Sequence, residues 1–269
     1  MLFTAFKNGK EIESVRVFSV GGGSVRFEDE PDDEEREIYP EKNFGEILNA
    51  CRREGKTLPD WIRQREGEGF QEYLSTVWQA MQAAIQRGLP AEGILPGGLE
   101  VERKAKILYE KRCYNESADV TMNRVIAAYA YAVSEENASE NIVVTAPTCG
   151  SCGVIPAVFF YMQMDRGFPE EEILDALAVA GMIGNVIRTN ASISGAECGC
   201  QAEIGSACSM AAGGLAEMYH FLSQTDESRF WLQQTLNQMK AEAPDEGGEA
   251  YNEWINRISI LQAMIDSLE

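Results

Sequence analysis

A chain of 269 residues, 45% hydrophobic and 25% charged, has ordinary globular composition and length enough for one large domain or a large one with a smaller companion. That excludes a disulfide-stapled miniprotein and a disordered chain. Its 23 Lys and Arg against 43 Asp and Glu give a net charge of −20, which repels phosphate backbones and argues against nucleic acids and anionic membranes as partners, and a single histidine, His220, rules out a multi-histidine zinc site.

Along the chain, the first ten residues lack the basic stretch and apolar run of a secretory signal, so a cytoplasmic protein is expected. Residues 12–27 alternate apolar and polar side chains on both sides of Gly21-Gly22-Gly23, which predicts two short strands around a turn. Residues 28–37 hold eight acids and one arginine, a self-repelling run that reads as a solvated loop. From Phe44 the apolar residues recur at three and four, predicting helices over 44–55, 60–88, 101–112 and 117–135, with Pro59, Pro90 and Pro96 as punctuation. Asn141 to Thr145 reads as a short extended piece. Helices follow near 154–166 and 170–188, the second opened by Pro169 and three glutamates suited to a helix N-terminus. A loop at 190–200 then leads into a helix over about 201–222. The fold class is therefore mainly α with a short N-terminal β element. No apolar stretch is long enough to cross a bilayer: Ala176 to Ile187 is the most apolar, and Gly181, Gly184 and Asn185 interrupt it.

The tail, 223–269, has another texture. It has nine acids against three basic residues and no cysteine, and breaks at Pro244-Asp-Glu-Gly-Gly. Beyond the break, Trp254, Ile258, Leu261, Ile265 and Leu268 fall near one helical face, which predicts an appended helical hairpin.

Two segments carry the candidate chemistry. Thr145-Ala-Pro-Thr-Cys-Gly-Ser-Cys-Gly-Val-Ile-Pro is a turn of small and hydroxyl residues entering a helix. The second segment, 190–215, is mostly Gly, Ala and Ser, which lets backbone approach closely to another helix or to a bound group. Both feed helix N-termini, so they are expected to converge, with Thr148, Asn190, Ser192 and Ser194 as candidate hydrogen-bond partners for a substrate carboxylate or ammonium. Ordinary turn and cap roles account for the same residue types.

Seven cysteines in a chain that reads as cytoplasmic favour metal binding, reactivity or burial over disulfides. Cys208 falls in the series Ile204, Ala207, Cys208, Ala211, Leu215, Met218 and is expected on a packed helix face, and Cys51 and Cys113 read as structural. Zinc through Cys149, Cys152, Cys198 and Cys200 is an alternative, although the last pair is only one residue apart. Thiolates at Cys198 and Cys200, in a glycine-rich loop, would also suit an iron–sulfur cluster. Glu197 and Glu203 flank that loop as a possible base or as surface residues, and the lone His220 reads as structural.

Three patterns resemble the iron–sulfur-dependent L-serine dehydratases (L-serine ammonia-lyases): Ser19-Val-Gly-Gly-Gly-Ser; Val143-Val-Thr-Ala-Pro-Thr with Cys152-Gly-Val-Ile-Pro-Ala; and Asn190-Ala-Ser-Ile-Ser-Gly-Ala-Glu with Gly199-Cys-Gln-Ala-Glu-Ile-Gly-Ser-Ala-Cys-Ser-Met-Ala-Ala. Gly88-Leu-Pro and Gly93-Ile-Leu-Pro-Gly-Gly-Leu are similar to the family's linker, so the likeness spans roughly residues 5–222. The resemblance implies a helical catalytic domain preceded by the end of a smaller α/β domain: 1–40 the remnant of that domain, 41–100 a helical linker region, 101–222 the α-domain portion and 223–269 a divergent acidic tail. It further implies a cytoplasmic lyase of amino-acid catabolism and gluconeogenesis that turns L-serine into pyruvate and ammonia. A [4Fe–4S] cluster held by three cysteines would be its Lewis acid, and pyridoxal phosphate is not required. The cysteine of the Gly-Cys-Gln motif falls on Cys200, the implied metal ligand, with Cys198 as its neighbour. Two features depart from the family. Its Ser-Ser-Ser-His-Thr segment is absent, and the tail lacks the family's Leu-Thr-Cys-Asp-Pro and Pro-Cys-Ile-Glu-Arg-Asn segments, which carry the other two cluster cysteines. The expectation is a chain truncated at both ends, forming a homo-oligomer or relying on a partner chain for the missing segments. A non-catalytic helical scaffold or assembly fragment is the alternative.

Overall fold

The computed structural model describes residues 1–21, 24–30, 38–111, 115–193 and 195–221, with isolated positions 233, 237, 258, 259, 261, 262 and 265. Expectations for the acidic run at 31–37, for Cys113 and Ser194, and for the side chains of Glu197 and His220 lie outside the described residues.

The chain is mainly α, with a small antiparallel sheet before the helices. Strands β1 (Leu2–Lys7), β2 (Lys10–Gly21) and β3 (Ser24–Phe27) lie in the order β1-β2-β3. The first hairpin turns at Asn8-Gly9, with φ of 53° and 76°, the left-handed pair that suits a two-residue hairpin. Pairing of Phe3 with Val15 and of Val17 with Phe27 gathers apolar side chains on one face. That face is exposed, Phe3 at 53% and Phe27 at 46%. Strand β1 is an addition to the two strands expected over 12–27.

Eight helices follow among the described residues: α1 (Phe44–Glu54), α2 (Leu58–Glu66), α3 (Phe70–Gly88), α4 (Ala105–Glu110), α5 (Ala118–Ala138), α6 (Val154–Met164), α7 (Glu170–Asn190) and α8 (Gly195–Phe221). Local signals set their ends. Asn43 accepts from the Glu46 amide at 3.0 Å while the Glu46 carboxylate accepts from the Lys42 amide at 2.9 Å, a reciprocal cap that starts α1. Gly55, at φ 66°, ends it. The run expected as one helix over 60–88 is two, because Gly67 and Gly69 take positive φ and break it. Asn141 to Thr145 pairs with no strand among the described residues; Arg87 instead donates to the Ile142 carbonyl at 2.7 Å.

Helices α3, α5, α6, α7 and α8 enclose one apolar core. Trp78, Phe159, Ile155, Ile173, Ile183 and Ile187 are all under 2% exposed. Leu261 and Ile265 of the tail are helical and buried within the same core. Their spacing, with half-buried Ile258, matches the amphipathic face expected there.

One expectation about burial is corrected. Cys208 is exposed, as is Ile204 one turn before it. Helix α8 is buried on every side only from Ser209 to Ala216. N-terminal to that stretch, Ile204 and Cys208 share an uncovered flank while Ala202, Ser206 and Ala207 turn inward and are buried.

Candidate functional site

A single 3-10 turn, Cys149–Ser151, forms the centre of the 145–153 segment. It follows from the residue types: small side chains permit the tight turn, and Thr148 closes it by placing its Oγ1 3.2 Å from Ser151 Oγ, both residues being buried. From one side Asn137 of α5 donates its Nδ2 to the Cys149 carbonyl at 3.3 Å. Next along, Gly153 lies so close to α5 that an added Cβ would be 2.6 Å from the Ala130 carbonyl oxygen. The other side of the turn packs on α8.

Helix α8 is interrupted at Gly199, whose φ of 76° and ψ of 170° are non-helical. The break falls between Cys198 and Cys200, so the long uninterrupted helix starts at Cys200, which is exposed, while Cys198 is half-buried. Glu203, one turn on, reaches back to the 3-10 turn: a Cβ at Gly150 would lie 2.6 Å from its Oε2. The 149–151 turn therefore meets the first turn of the Cys200 helix.

The expected site residues divide. Thr148 is fully buried and bonded within its own turn. Asn190, at the end of α7, donates its Nδ2 to the carbonyls of Lys42 at 2.6 Å and Val186 at 2.8 Å, which fastens the segment before α1 to α7. Beside this fastening, Tyr39, Glu41, Lys42, Met182, Asn185 and Arg188 line a cleft of about 560 Å³. Ser192 is half-buried between Asn190 and the start of α8. Among the described residues, Ser151 and Asn137 shape the turn without having been expected to. Ser151 was visible as one of the motif's hydroxyls, whereas no local pattern marks Asn137.

The thiols differ in character. Burial, and next the neighbouring Cys149, push the Cys152 thiol up to about 11, so it stays protonated at neutral pH and is a poor metal ligand. Among the described residues no three His, Cys, Asp or Glu side chains come together as a metal site. The four-thiolate zinc alternative through Cys149, Cys152, Cys198 and Cys200 is therefore not built here. Cys200, the ligand that the resemblance implies, stands exposed at the start of the long helix. No helix among the described residues is long and apolar enough to cross a membrane.

A helical body in which a small-residue cysteine turn is seated on the cysteine-bearing start of a long helix defines a class, and comparison with known proteins identifies it. The profile of the family "Serine dehydratase alpha chain" matches residues 32–225. The chain is 43% identical over 232 residues to an L-serine dehydratase of Haemophilus influenzae, covering 81% of this chain and 51% of that protein. It is 41% identical over 222 residues to an L-serine dehydratase of Streptomyces coelicolor, covering 78% and 49% of the two chains, and 38% identical over 231 residues to L-serine dehydratase 2 of Escherichia coli, covering 81% and 51%. This chain belongs to the serine dehydratase alpha chain family. It spans about half the length of the relatives it matches.

Proposed function

We propose that this chain works in an L-serine ammonia-lyase of amino-acid catabolism, feeding gluconeogenesis, in the cytoplasm. Removal of the α-proton and loss of the β-hydroxyl as water convert L-serine into aminoacrylate. Addition of water to its imine tautomer then gives pyruvate and ammonia. The observation that carries the reading is the contact of the 149–151 turn with the first turn of the Cys200 helix, since each segment bears one of the family's motifs.

In this reading Cys200 supplies one thiolate to a [4Fe–4S] cluster and Cys198 is its neighbour, with no pyridoxal phosphate. The family's other two cysteine segments would supply the remaining thiolates. Thr148, Asn190, Ser192 and Ser194 surround the substrate, Thr148 by fixing the shape of the turn and Asn190 by holding α7 to the segment before α1. Residues 1–40 are the end of the small α/β domain, 41–100 the linker region, 101–222 the α-domain portion and 223–269 the divergent tail.

Anaerobic reconstitution with iron and sulfide tests the cluster. The reading predicts a brown protein, absorbing near roughly 400 nm, when a chain carrying the family's other two cysteine segments is present. In that mixture Cys200→Ala should lose the colour. A mixture that stays colourless would instead favour a non-catalytic scaffold.

A further inference from the structure

Among the described residues four buried side-chain atoms take no hydrogen bond: Glu41 Oε2, Arg103 Nη1, Glu135 Oε2 and Glu172 Oε2. Arg103 Nη1 and Glu135 Oε2 face each other at 4.0 Å as an ion pair, and Glu172 stands in the first turn of α7, where the helix dipole favours a carboxylate. Glu41 differs in its setting, because it lines the cleft of about 560 Å³ beside the Asn190 fastening. Its side chain is only 12% exposed, and it accepts no hydrogen bond among the described residues. The base paired with it, Arg65, is 3.7 Å from Oε1 and donates to Glu54 instead, at 3.4 Å. A carboxylate taken out of water without a donor costs free energy that a donor entering from the cleft restores. The carboxylate torsion of a glutamate is soft, so Oε2 turns toward such a donor at little cost.

The lining decides what kind of donor fits. Ile47, Met182 and Val186, all buried, make part of the cleft apolar. Glu66, the second acid of the lining, already accepts from Tyr39 Oη at 2.5 Å. Among the described residues no three His, Cys, Asp or Glu side chains gather to hold a metal ion. One carboxylate beside apolar walls therefore suits an organic cation, with the charge at one end and hydrocarbon behind it.

We propose that this cleft binds a small molecule carrying a primary ammonium on a short apolar body, with Glu41 receiving the ammonium. The charge-assisted hydrogen bond supplies the donor that Glu41 lacks, and the body lies on Ile47, Met182 and Val186 in place of water. Two kinds of molecule carry this group, alkylamines and α-amino acids. Lys42 and Arg188, both exposed, line the same cleft and give the carboxylate of an amino acid a favourable field. The inference does not draw on the dehydratase reading.

Isothermal titration calorimetry on the full chain at pH 7.5 tests it, with butylamine and L-norvaline as ammonium probes and 1-butanol and butyrate as probes of similar body without the ammonium. The expected result is binding of both amines, binding of butanol and butyrate weaker by about tenfold or more, and a loss of about tenfold or more in amine affinity for Glu41→Gln, the size of one charge-assisted bond. Asn185→Trp, at an exposed position of the lining, should fill the cleft and lower amine affinity with Glu41 intact. An unchanged circular dichroism spectrum and Tm show that the variants are folded, and if Glu41→Gln fails to fold, Asn185→Trp decides the matter. Tighter binding of L-norvaline than of butylamine supports the proposal with an amino acid as ligand, and the reverse order supports it with an alkylamine. No amine binding by the wild-type chain, equal binding of butanol or butyrate, or amine affinity unchanged in either folded variant would each overturn it.

Discussion

The carboxylate of Glu203 occupies the space above Gly150, with Oε2 2.6 Å from where a Cβ would stand. Through this contact the cysteine turn packs on the start of the Cys200 helix, and it distinguishes two glycines three residues apart. At Gly153 an added Cβ meets the fixed carbonyl of Ala130, also at 2.6 Å, whereas at Gly150 it meets the end of a flexible side chain. Gly153→Ala is therefore expected to destabilise by about 1–3 kcal/mol, as overpacking against backbone does. Gly150→Ala should cost less in urea denaturation, because Glu203 can swing away. Equal losses would show that Glu203 is held more rigidly than its lack of partners implies.

Thiol chemistry separates the cysteines. Cys200 is exposed, while Cys152 is 1% exposed and its thiol is pushed up to about 11 by burial. Cys51 is likewise buried, its thiol pushed up to about 11 by burial and by Glu54. Brief treatment of the native chain with iodoacetamide at pH 7.5, read by peptide mass spectrometry, should label Cys200 well before Cys152 or Cys51. Modification of Cys152 at the same rate as Cys200 would mean that the 149–151 turn opens readily.

At the seam of α2, α7 and α8, one guanidinium serves several acids. Arg63 binds Asp175 and, at 2.7 Å, Asp60, while Glu217 of α8 lies close by. Burial, and then Asp175 and Asp60, push the Glu217 carboxyl from 4.5 up to about 7 against the opposing pull of Arg63. The folded chain keeps this proton between those values while the unfolded chain has released it. Stability from the neutral form is thus present in full below about 4.5 and lost as pH rises through about 7. Glu217→Gln should stabilise at pH 8 by up to roughly 3 kcal/mol and by much less at pH 5, measured by urea denaturation. The same gain at both values would contradict the burial of Glu217.

The tail contributes to the core. Leu261 is 0% exposed, so Leu261→Ala should cost about 2–5 kcal/mol, the price of a cavity among packed side chains. Replacement at half-buried Ile258 should cost less. A negligible effect at Leu261 would place the tail off the helical body.

Much of this architecture was legible from local pattern. Periodicity at three and four located the helices because each buries one stripe, and Pro169 with the three glutamates after it marked the start of α7 by chemistry that acts within a few residues. Strand β1 was missed although Asn8-Gly9, the turn that makes it a hairpin with β2, was present. The long-range features were not legible. Asn190 resembles a substrate-binding amide in sequence, and only the fold shows its Nδ2 bonded to Lys42 and Val186. Cys208 sat in an apolar series, yet burial there depends on how far neighbouring helices extend along α8. Glu203 was visible as an acid beside the cysteine loop, but its contact with Gly150 crosses more than fifty positions of the chain.

Serine turnover by this chain, with and without a chain carrying the Leu-Thr-Cys-Asp-Pro and Pro-Cys-Ile-Glu-Arg-Asn segments, tests the central claim most directly. After anaerobic reconstitution, pyruvate formation is predicted in the mixture, lost by orders of magnitude with Cys200→Ala, and negligible for this chain alone. Turnover in the mixture that survives Cys200→Ala, or no turnover in the mixture at all, would contradict it.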